Sequence, residues 1–216
     1  MKLNFKKLVL AITLALVATS SIAAGLDLAE STHLKFMRSE EKLARDVYTT
    51  FNQKYGRQVK VFGNIAKSEQ THTNTVLSQL TKYRASDPEP GANNMPAMLG
   101  IFTNPDYREY FNAEYSMLVN KGTNLLEALK VGALIEELDM HDIVKCPSII
   151  LEKSSEITAC GMAYTDEPAL KRMYSNLLEG SKNHLRAFTS QITKITGKPY
   201  TAQYLSQTEV DQLLKY

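Results

Sequence analysis

The sequence predicts an all-α protein built on four long helices, with a long crossover between the second and third and with short accessory helices. In several segments of about 20 residues, apolar side chains recur every three or four positions, which is the spacing of one helix face. Capping residues, proline and glycine stand at the ends of these segments, where helices begin and end. No segment shows the sustained apolar–polar alternation of a half-buried strand.

The first 24 residues have the order of a secretory signal peptide. Lysines near the start precede the apolar run Leu8–Ala18, and small residues follow to Ala24. A run of about 11 residues is shorter than the roughly 20 that span a bilayer; an uncut membrane anchor is the alternative interpretation. Cleavage after Ala23 or Ala24 leaves one domain, residues 25–216, which we expect to be periplasmic or secreted, with no stable membrane anchor.

Charge and cysteine content limit the functions of this domain. Removing the three signal-peptide lysines lowers the formal net charge from +2 to −1, so the basic patch that nucleic-acid binding requires is missing. The two cysteines, Cys146 and Cys160, predict a disulfide in an oxidising compartment; free thiols or a metal-binding pair are the alternative. The disulfide would close a loop between the third and fourth long helices and add about 3 kcal/mol of stability.

The first two long helices have clear apolar faces. Ser31 or Thr32 fits the start of the first helix, and Gly56 lies just past its end. Its face carries Leu34, Met37, Glu41, Ala44, Tyr48 and Phe51. The second helix covers about Phe62–Arg84. Its face carries Ile65, Glu69, His72, Val76 and Leu80.

The crossover and the third long helix follow. Prolines and glycines make Ser86–Gly100 irregular. Asn104-Pro105 then begins a shorter helix that reaches about Asn120, with proline in its first turn. The third long helix covers about Asn124–Lys145.

The fourth long helix begins at Asp166-Glu167-Pro168 and reaches about Thr196. Its inner face is predicted to carry Leu170, Tyr174, Leu177, Ser181, His184, Phe188, Ile192 and Ile195. The tail, Lys198–Tyr216, is expected to dock through Tyr200, Tyr204 and Leu205 and to end in a short helix. His33, near the start of the domain, is expected to be exposed.

The two halves of the domain resemble each other. Residues 64–80 align with 176–192, which pairs His72 with His184. A shift of 96 pairs Glu41 with Glu137. Duplicated helix pairs are a common basis for two-fold metal sites.

Polar residues on the apolar faces carry the chemistry. A buried, unpaired carboxylate costs several kcal/mol, so such residues are paired, hydrogen-bonded or bound to a cation. Glu69-x-x-His72 places a carboxylate and an imidazole one turn apart, and Glu41, Glu137 and His184 point inward from the other three helices. Glutamates from two helices and Glu-x-x-His from the other two are the ligands of ferritin-like di-iron and di-manganese proteins.

Four segments, EEKLARDVY (40–48), NIAKSEQTH (64–72), VGALIEELD (131–139) and GSKNHLRAF (180–188), make the sequence recognisable. It resembles the ferritin-like superfamily, and more closely the prokaryotic family catalogued as domain of unknown function 2202. The resemblance implies a bundle binding two metal ions, most readily iron, with manganese as the alternative. It implies Tyr48 as a catalytic residue beside the metal. The implied ligands are Glu41, Glu69, His72, Glu137 and His184.

One position departs from the pattern, because Ser181 stands where the fourth helix should carry the glutamate of Glu-x-x-His184. The serine leaves either an open position for oxygen or peroxide, or one weakly held metal ion, and Ser181→Glu is expected to tighten binding. The expected function is oxidase, ferroxidase or peroxide-handling activity. The alternative is a non-catalytic metal-binding or interaction module with a degenerate or single-metal site. The oligomeric state stays open, with a dimer as one option.

Overall fold

The computed structural model describes residues 25–214, which form seven helices and no strand. The all-α prediction is therefore confirmed for this part of the chain. The predicted signal peptide, residues 1–24, lies outside the described residues. Within them, no helix is both long and apolar enough to cross a membrane. The helices are α1 Leu28–Tyr55, α2 Val61–Lys82, α3 Arg108–Lys121, α4 Leu125–Val144, α5 Ser148–Lys153, α6 Pro168–Thr196 and α7 Gln207–Leu214.

The start of α1 differs from the prediction. Asp27, rather than Ser31 or Thr32, caps the helix: its Oδ1 accepts from the Glu30 N–H at 2.8 Å, while Glu30 Oε2 accepts from the Asp27 N–H at 3.1 Å. This reciprocal capping box satisfies two N–H groups that lack helical partners and moves the start toward the N-terminus.

The segment between α4 and α6 contains one unexpected helix. Cys146 and Cys160 form the predicted disulfide, and the six-residue α5 lies inside the loop that it closes. Pro168 stands in the first turn of α6, and Gly197 ends that helix in the left-handed conformation with φ 67°, a conformation that favours glycine.

The four long helices surround a common interior. Helix α1 packs most extensively on α2 and α4 on α6, while α2 also contacts α6 and α1 contacts α4. Aromatic rings fill one level of this interior, with Phe188 5.2 Å from Tyr48 and 5.7 Å from Phe62 between ring centroids. A Cβ at Gly132 would lie 2.6 Å from the Phe188 ring, so glycine permits this packing.

Three exposure predictions were wrong. His33 is buried, and both of its ring nitrogens have hydrogen-bond partners there: the Tyr174 hydroxyl at 2.8 Å and the Asp142 carbonyl at 2.8 Å. These two bonds offset the cost of burying the imidazole. Ile195, in the last turn of α6, and Tyr204, in the tail, are exposed. The tail instead packs through Tyr200, which is buried as predicted.

Candidate metal centre

Glu69 lies between two histidines from different helices. Helix α2 carries Glu69 and His72 one turn apart, and α6 brings His184 against them. Glu69 Oε2 is 2.7 Å from His72 Nδ1, and Glu69 Oε1 is 2.7 Å from His184 Nδ1. The imidazole rings stack with centroids 5.4 Å apart. Each residue offers one ligand atom within 4.8 Å of the others, so two of the implied ligands on α2 and one on α6 come together.

A second carboxylate flanks each histidine. Glu41, from α1, places Oε2 3.2 Å from His72 Nδ1. Glu136, from α4, places Oε2 3.4 Å from His184 Nδ1. The site thus has two similar halves that share Glu69.

Asp139 supplies a fourth carboxylate to the cluster. It lies one turn after Glu136 on α4 and is 5% exposed. Its Oδ2 accepts a short hydrogen bond from the Ser181 hydroxyl. Burial, reinforced by the charges of Glu41, Glu136 and Glu69, raises the pKa of Asp139 well above its ordinary value. The position where Ser181 replaces the expected glutamate is therefore faced by a carboxylate from the neighbouring helix.

Glu137 does not join this cluster, which corrects its predicted position. Its carboxylate accepts hydrogen bonds from the Tyr200 hydroxyl at 2.6 Å and from the backbone N–H groups of residues 203–205 at 2.7–3.1 Å. Successive helical residues are rotated by about 100°, so Glu136 faces the histidines while Glu137 faces the C-terminal tail.

Tyr48 reaches the cluster through Glu136. Its hydroxyl donates to Glu136 Oε1 at 2.6 Å and also lies 3.2 Å from the Gly132 carbonyl. Burial, reinforced by the Glu136 charge, raises the Tyr48 pKa well above its ordinary value. Tyr48 therefore keeps its proton and donates it in a hydrogen bond to a residue that contacts His184.

The protonation states of the cluster are set by burial and by neighbouring charges. Burial lowers the pKa of both histidines, but the carboxylates outweigh it and raise the pKa to about 12 for His72 and about 10 for His184. Burial raises the pKa of Glu69, but the histidines outweigh it and bring it to about 2. Burial raises the pKa of Glu41 to about 7, although His72 opposes it. When no cation is bound, protons on the two histidines and on the carboxyl groups of raised pKa thus limit the negative charge of the cluster.

Several buried atoms of the cluster have no hydrogen-bond partner. They are Glu41 Oε1, Asp139 Oδ1 and His184 Nδ1; the last approaches Glu69 closely but without the direction of a hydrogen bond. Unpaired buried polar atoms cost about 1–3 kcal/mol each, and more when charged. The remaining ring nitrogen of His184 lies 2.9 Å from the Ser68 hydroxyl, a contact that fixes the ring and leaves Nδ1 directed at the carboxylates. This donor set fits a divalent cation that accepts oxygen and nitrogen ligands.

The fold and the site define an all-helical protein with a buried carboxylate–histidine cluster. The family described as "Uncharacterized protein domain (DUF2202)" matches residues 30–216, so the chain belongs to this family. "Uncharacterized protein MJ0754" of Methanocaldococcus jannaschii is 39% identical over 179 residues, with 82% of each chain covered. The crystal structure of hypothetical protein MJ0754 from Methanococcus jannaschii matches with TM-score 0.71 and 37% identity, covering 88% of this chain and 93% of that chain.

Proposed function

We propose that the protein is a ferritin-like four-helix bundle that binds two divalent metal ions, iron most readily and manganese as the alternative. We further propose that it is an exported oxidoreductase with oxidase, ferroxidase or peroxide-handling activity. One observation carries the proposal: four buried carboxylates and two imidazoles converge from four helices, and several of their atoms lack hydrogen-bond partners. Four carboxylates balance the charge of two divalent ions.

The ligands divide between the two halves of the site. Glu41 and His72 would hold one ion, and Glu136 and His184 the other. Glu69 lies against both histidines and would serve both halves. Asp139 completes the carboxylate set in place of a glutamate at position 181.

Bound iron would supply the electrons that reduce oxygen or peroxide. The chain itself positions and insulates the ligands. Tyr48 holds its proton on the hydroxyl and orients Glu136, and Ser68 orients His184. The aromatic rings of Phe62 and Phe188 close the interior beside Tyr48 and exclude water there. Tyr48 is also an oxidisable side chain that is hydrogen-bonded to one of these carboxylates.

A second candidate function is a non-catalytic module that binds one ion. The observation favouring it is the tight group of Glu69, His72 and His184, whose three ligand atoms lie within 4.8 Å of one another without help from another residue. Glu41, Glu136 and Asp139 would then adjust the charge around a single ion.

Metal stoichiometry tests both candidates. The protein, purified without added metal or chelator, is analysed for its elements and then titrated anaerobically with Fe(II). Two ions per chain and oxygen consumption by the loaded protein are expected; one ion without oxygen consumption supports the single-ion module. Glu69→Gln is expected to lose both ions, whereas Glu137→Gln, which removes a buried carboxylate outside the cluster, should keep them. Absence of any bound ion at micromolar Fe(II) or Mn(II) refutes a metal site of either kind.

A further inference from the structure

Two hollows lie side by side where the C-terminal tail packs on the last turns of α6. Each has a volume of about 370 Å³, within the range of sites that bind small molecules. Pro199 and Tyr200 line both hollows, so the two share a wall. The first hollow also borders Lys130 of α4, and the second borders Leu214 of α7.

The charged residues of both linings are basic. Lys130 and Lys198 line the first hollow, and Arg186 and Lys194 line the second. No aspartate or glutamate among residues 25–214 lines either of them. Of the four basic residues, only Lys130 forms an ion pair within the described part of the chain, with Glu127 at 2.8 Å. Concave surfaces lined by one sign of charge concentrate ions of the opposite sign.

The hydrogen bonds of Arg186 are incomplete. Its Nη1 donates to Asn183 Oδ1 at 2.9 Å, and its Nε is buried without a partner in the structure from residue 25 to residue 214. A guanidinium offers five N–H groups, in a fork that matches the paired oxygens of a carboxylate or phosphate. Because an unsatisfied buried donor is costly to the fold, an arginine in this state indicates a site for an acceptor from outside the chain.

The shared wall is held in place by hydrogen bonds. Tyr200 is 7% exposed, and its hydroxyl donates to Glu137 Oε1 at 2.6 Å and accepts from Gln203 Nε2 at 2.8 Å. Gln203 Nε2 also lies 2.7 Å from the Lys130 carbonyl. The hollows are therefore formed before any ligand arrives, which lowers the entropy cost of binding.

We propose that the basic hollows on either side of Tyr200 bind a small organic anion that carries two or more carboxylate or phosphate groups. The carbon skeleton of the ligand packs against the rings of Tyr200 and Pro199, and its anionic groups bind Arg186 and Lys198. This site is separate from the metal cluster and does not depend on metal binding there. Because Tyr200 also bonds to Glu137, an occupied site holds the tail against α4.

Calorimetric titration of the full chain with two anions that chelate metal weakly tests the site. Propane-1,2,3-tricarboxylate probes carboxylate ligands, and fructose 1,6-bisphosphate probes phosphate ligands. The wild type should bind one molecule of at least one of them per chain, with a Kd of about 1 mM or lower. The affinity should fall as salt rises, because salt screens exposed charges.

Matched variants locate the binding. Lys198→Glu and Arg186→Gln should each weaken it roughly tenfold or more, since each removes a charged hydrogen-bond donor. Lys171→Glu is the control, because Lys171 is exposed on α6 and lines neither hollow; it should change the affinity less than about twofold. The bound anion should also slow proteolysis of residues 200–214 in the wild type but not in Lys198→Glu.

Three results would overturn the site. One is a wild-type protein that binds neither anion, including one that binds only vesicles of phosphatidylglycerol, which would assign the basic surface to a membrane. Another is equal weakening by Lys171→Glu and Lys198→Glu, which would show attraction to the overall charge. The third is unchanged affinity in Lys198→Glu, whose exposed position makes misfolding an unsuitable explanation. All three would leave the proposed metal site standing.

Discussion

Glu136 and Glu137 are neighbours in sequence but face different parts of the molecule, and replacing each by glutamine separates their roles. Glu136 contacts His184 and Tyr48, whereas Glu137 accepts hydrogen bonds from the C-terminal tail. Both side chains are buried, and each replacement exchanges a carboxyl group for an amide with little change in shape. Because the two variants carry the same chemical change, any difference in their stability or metal binding comes from where the glutamate lies in the structure.

The expected loss for Glu137→Gln is one of stability. Its carboxylate accepts from the Tyr200 hydroxyl and from three backbone N–H groups, and hydrogen bonds to a charged group contribute about 1.5–3 kcal/mol each. Glutamine keeps one acceptor oxygen and turns an NH₂ group toward these donors. We expect a loss of about 3 kcal/mol, which lowers Tm by roughly 6–12 °C for a domain of this size. The loss should be the same with and without metal.

The expected loss for Glu136→Gln is one of metal binding. Burial raises the pKa of Glu136, so a neutral side chain costs the metal-free protein little. Metal at 100 times its Kd stabilises a protein by about 2.7 kcal/mol, and a 100-fold weaker affinity reduces this gain to about 0.4 kcal/mol. The metal-dependent rise in Tm should therefore fall from roughly 5–11 °C to roughly 1–2 °C.

Calorimetric unfolding with and without Mn(II) measures both effects, and limited proteolysis of residues 200–214 reports release of the tail. Glu137→Gln should show faster cleavage there, while Glu136→Gln should match the wild type. The reasoning fails if Glu137→Gln abolishes the metal-dependent rise in Tm while Glu136→Gln preserves it. That result would support the prediction from sequence that Glu137, and not Glu136, is the ligand on α4.

Three further predictions concern protons and the serine position. Burial lowers the pKa of His33 to about 4, although its bond to the Asp142 carbonyl opposes this. Because the unfolded state binds the proton first as the pH falls, the free energy of unfolding should hold above pH 6.5 and fall by about 3 kcal/mol toward pH 4. Urea unfolding measures this fall, and a His33→Gln control should lack it. His72 and His184 carry protons near pH 7 when metal-free, so metal affinity should rise about tenfold per pH unit for each displaced proton; affinity independent of pH between 6 and 8 contradicts this. Ser181→Glu alone would add a carboxylate against Asp139 and should destabilise the metal-free protein by a few kcal/mol. Ser181→Glu with Asp139→Ser should keep two ions, as elemental analysis would report.

Local periodicity was enough to predict the helices, because each long helix carries an apolar face over several turns and ends at residues such as Gly56 and Gly197. It also put Glu41, Glu69, His72 and His184 on such faces, and the structure brings these four side chains together. Local periodicity could not decide whether Glu136 or Glu137 faces the histidines. Both are buried in a helix that is apolar on most sides. They differ only in that the C-terminal tail covers Glu137, and the position of the tail is not visible in the sequence of the helix.

Burial of His33 and the role of Asp139 could not be found from local sequence for a related reason. Both depend on partners more than 40 residues away: Tyr174 and the Asp142 carbonyl for His33, and Ser181 for Asp139. A polar residue next to an apolar face has no signal of its own that separates exposure from burial with satisfied hydrogen bonds. The internal repeat misled in the same way, because a shift of 95 rather than 96 pairs Glu41 with its structural counterpart, Glu136.

Position 181 bears on the proposed choice between two ions and one. In the first half of the repeat, α2 contributes both Glu69 and His72; in the second half, α6 contributes only His184, and α4 contributes both Glu136 and Asp139. The carboxylate has thus changed helix while the total has stayed at four carboxylates and two imidazoles. Around a single divalent ion, the remaining carboxyl groups would keep protons, as the raised pKa values of Glu41, Glu136 and Asp139 allow. Two divalent ions would displace these protons and balance four carboxylates, so the proposed two-ion site needs no glutamate at position 181.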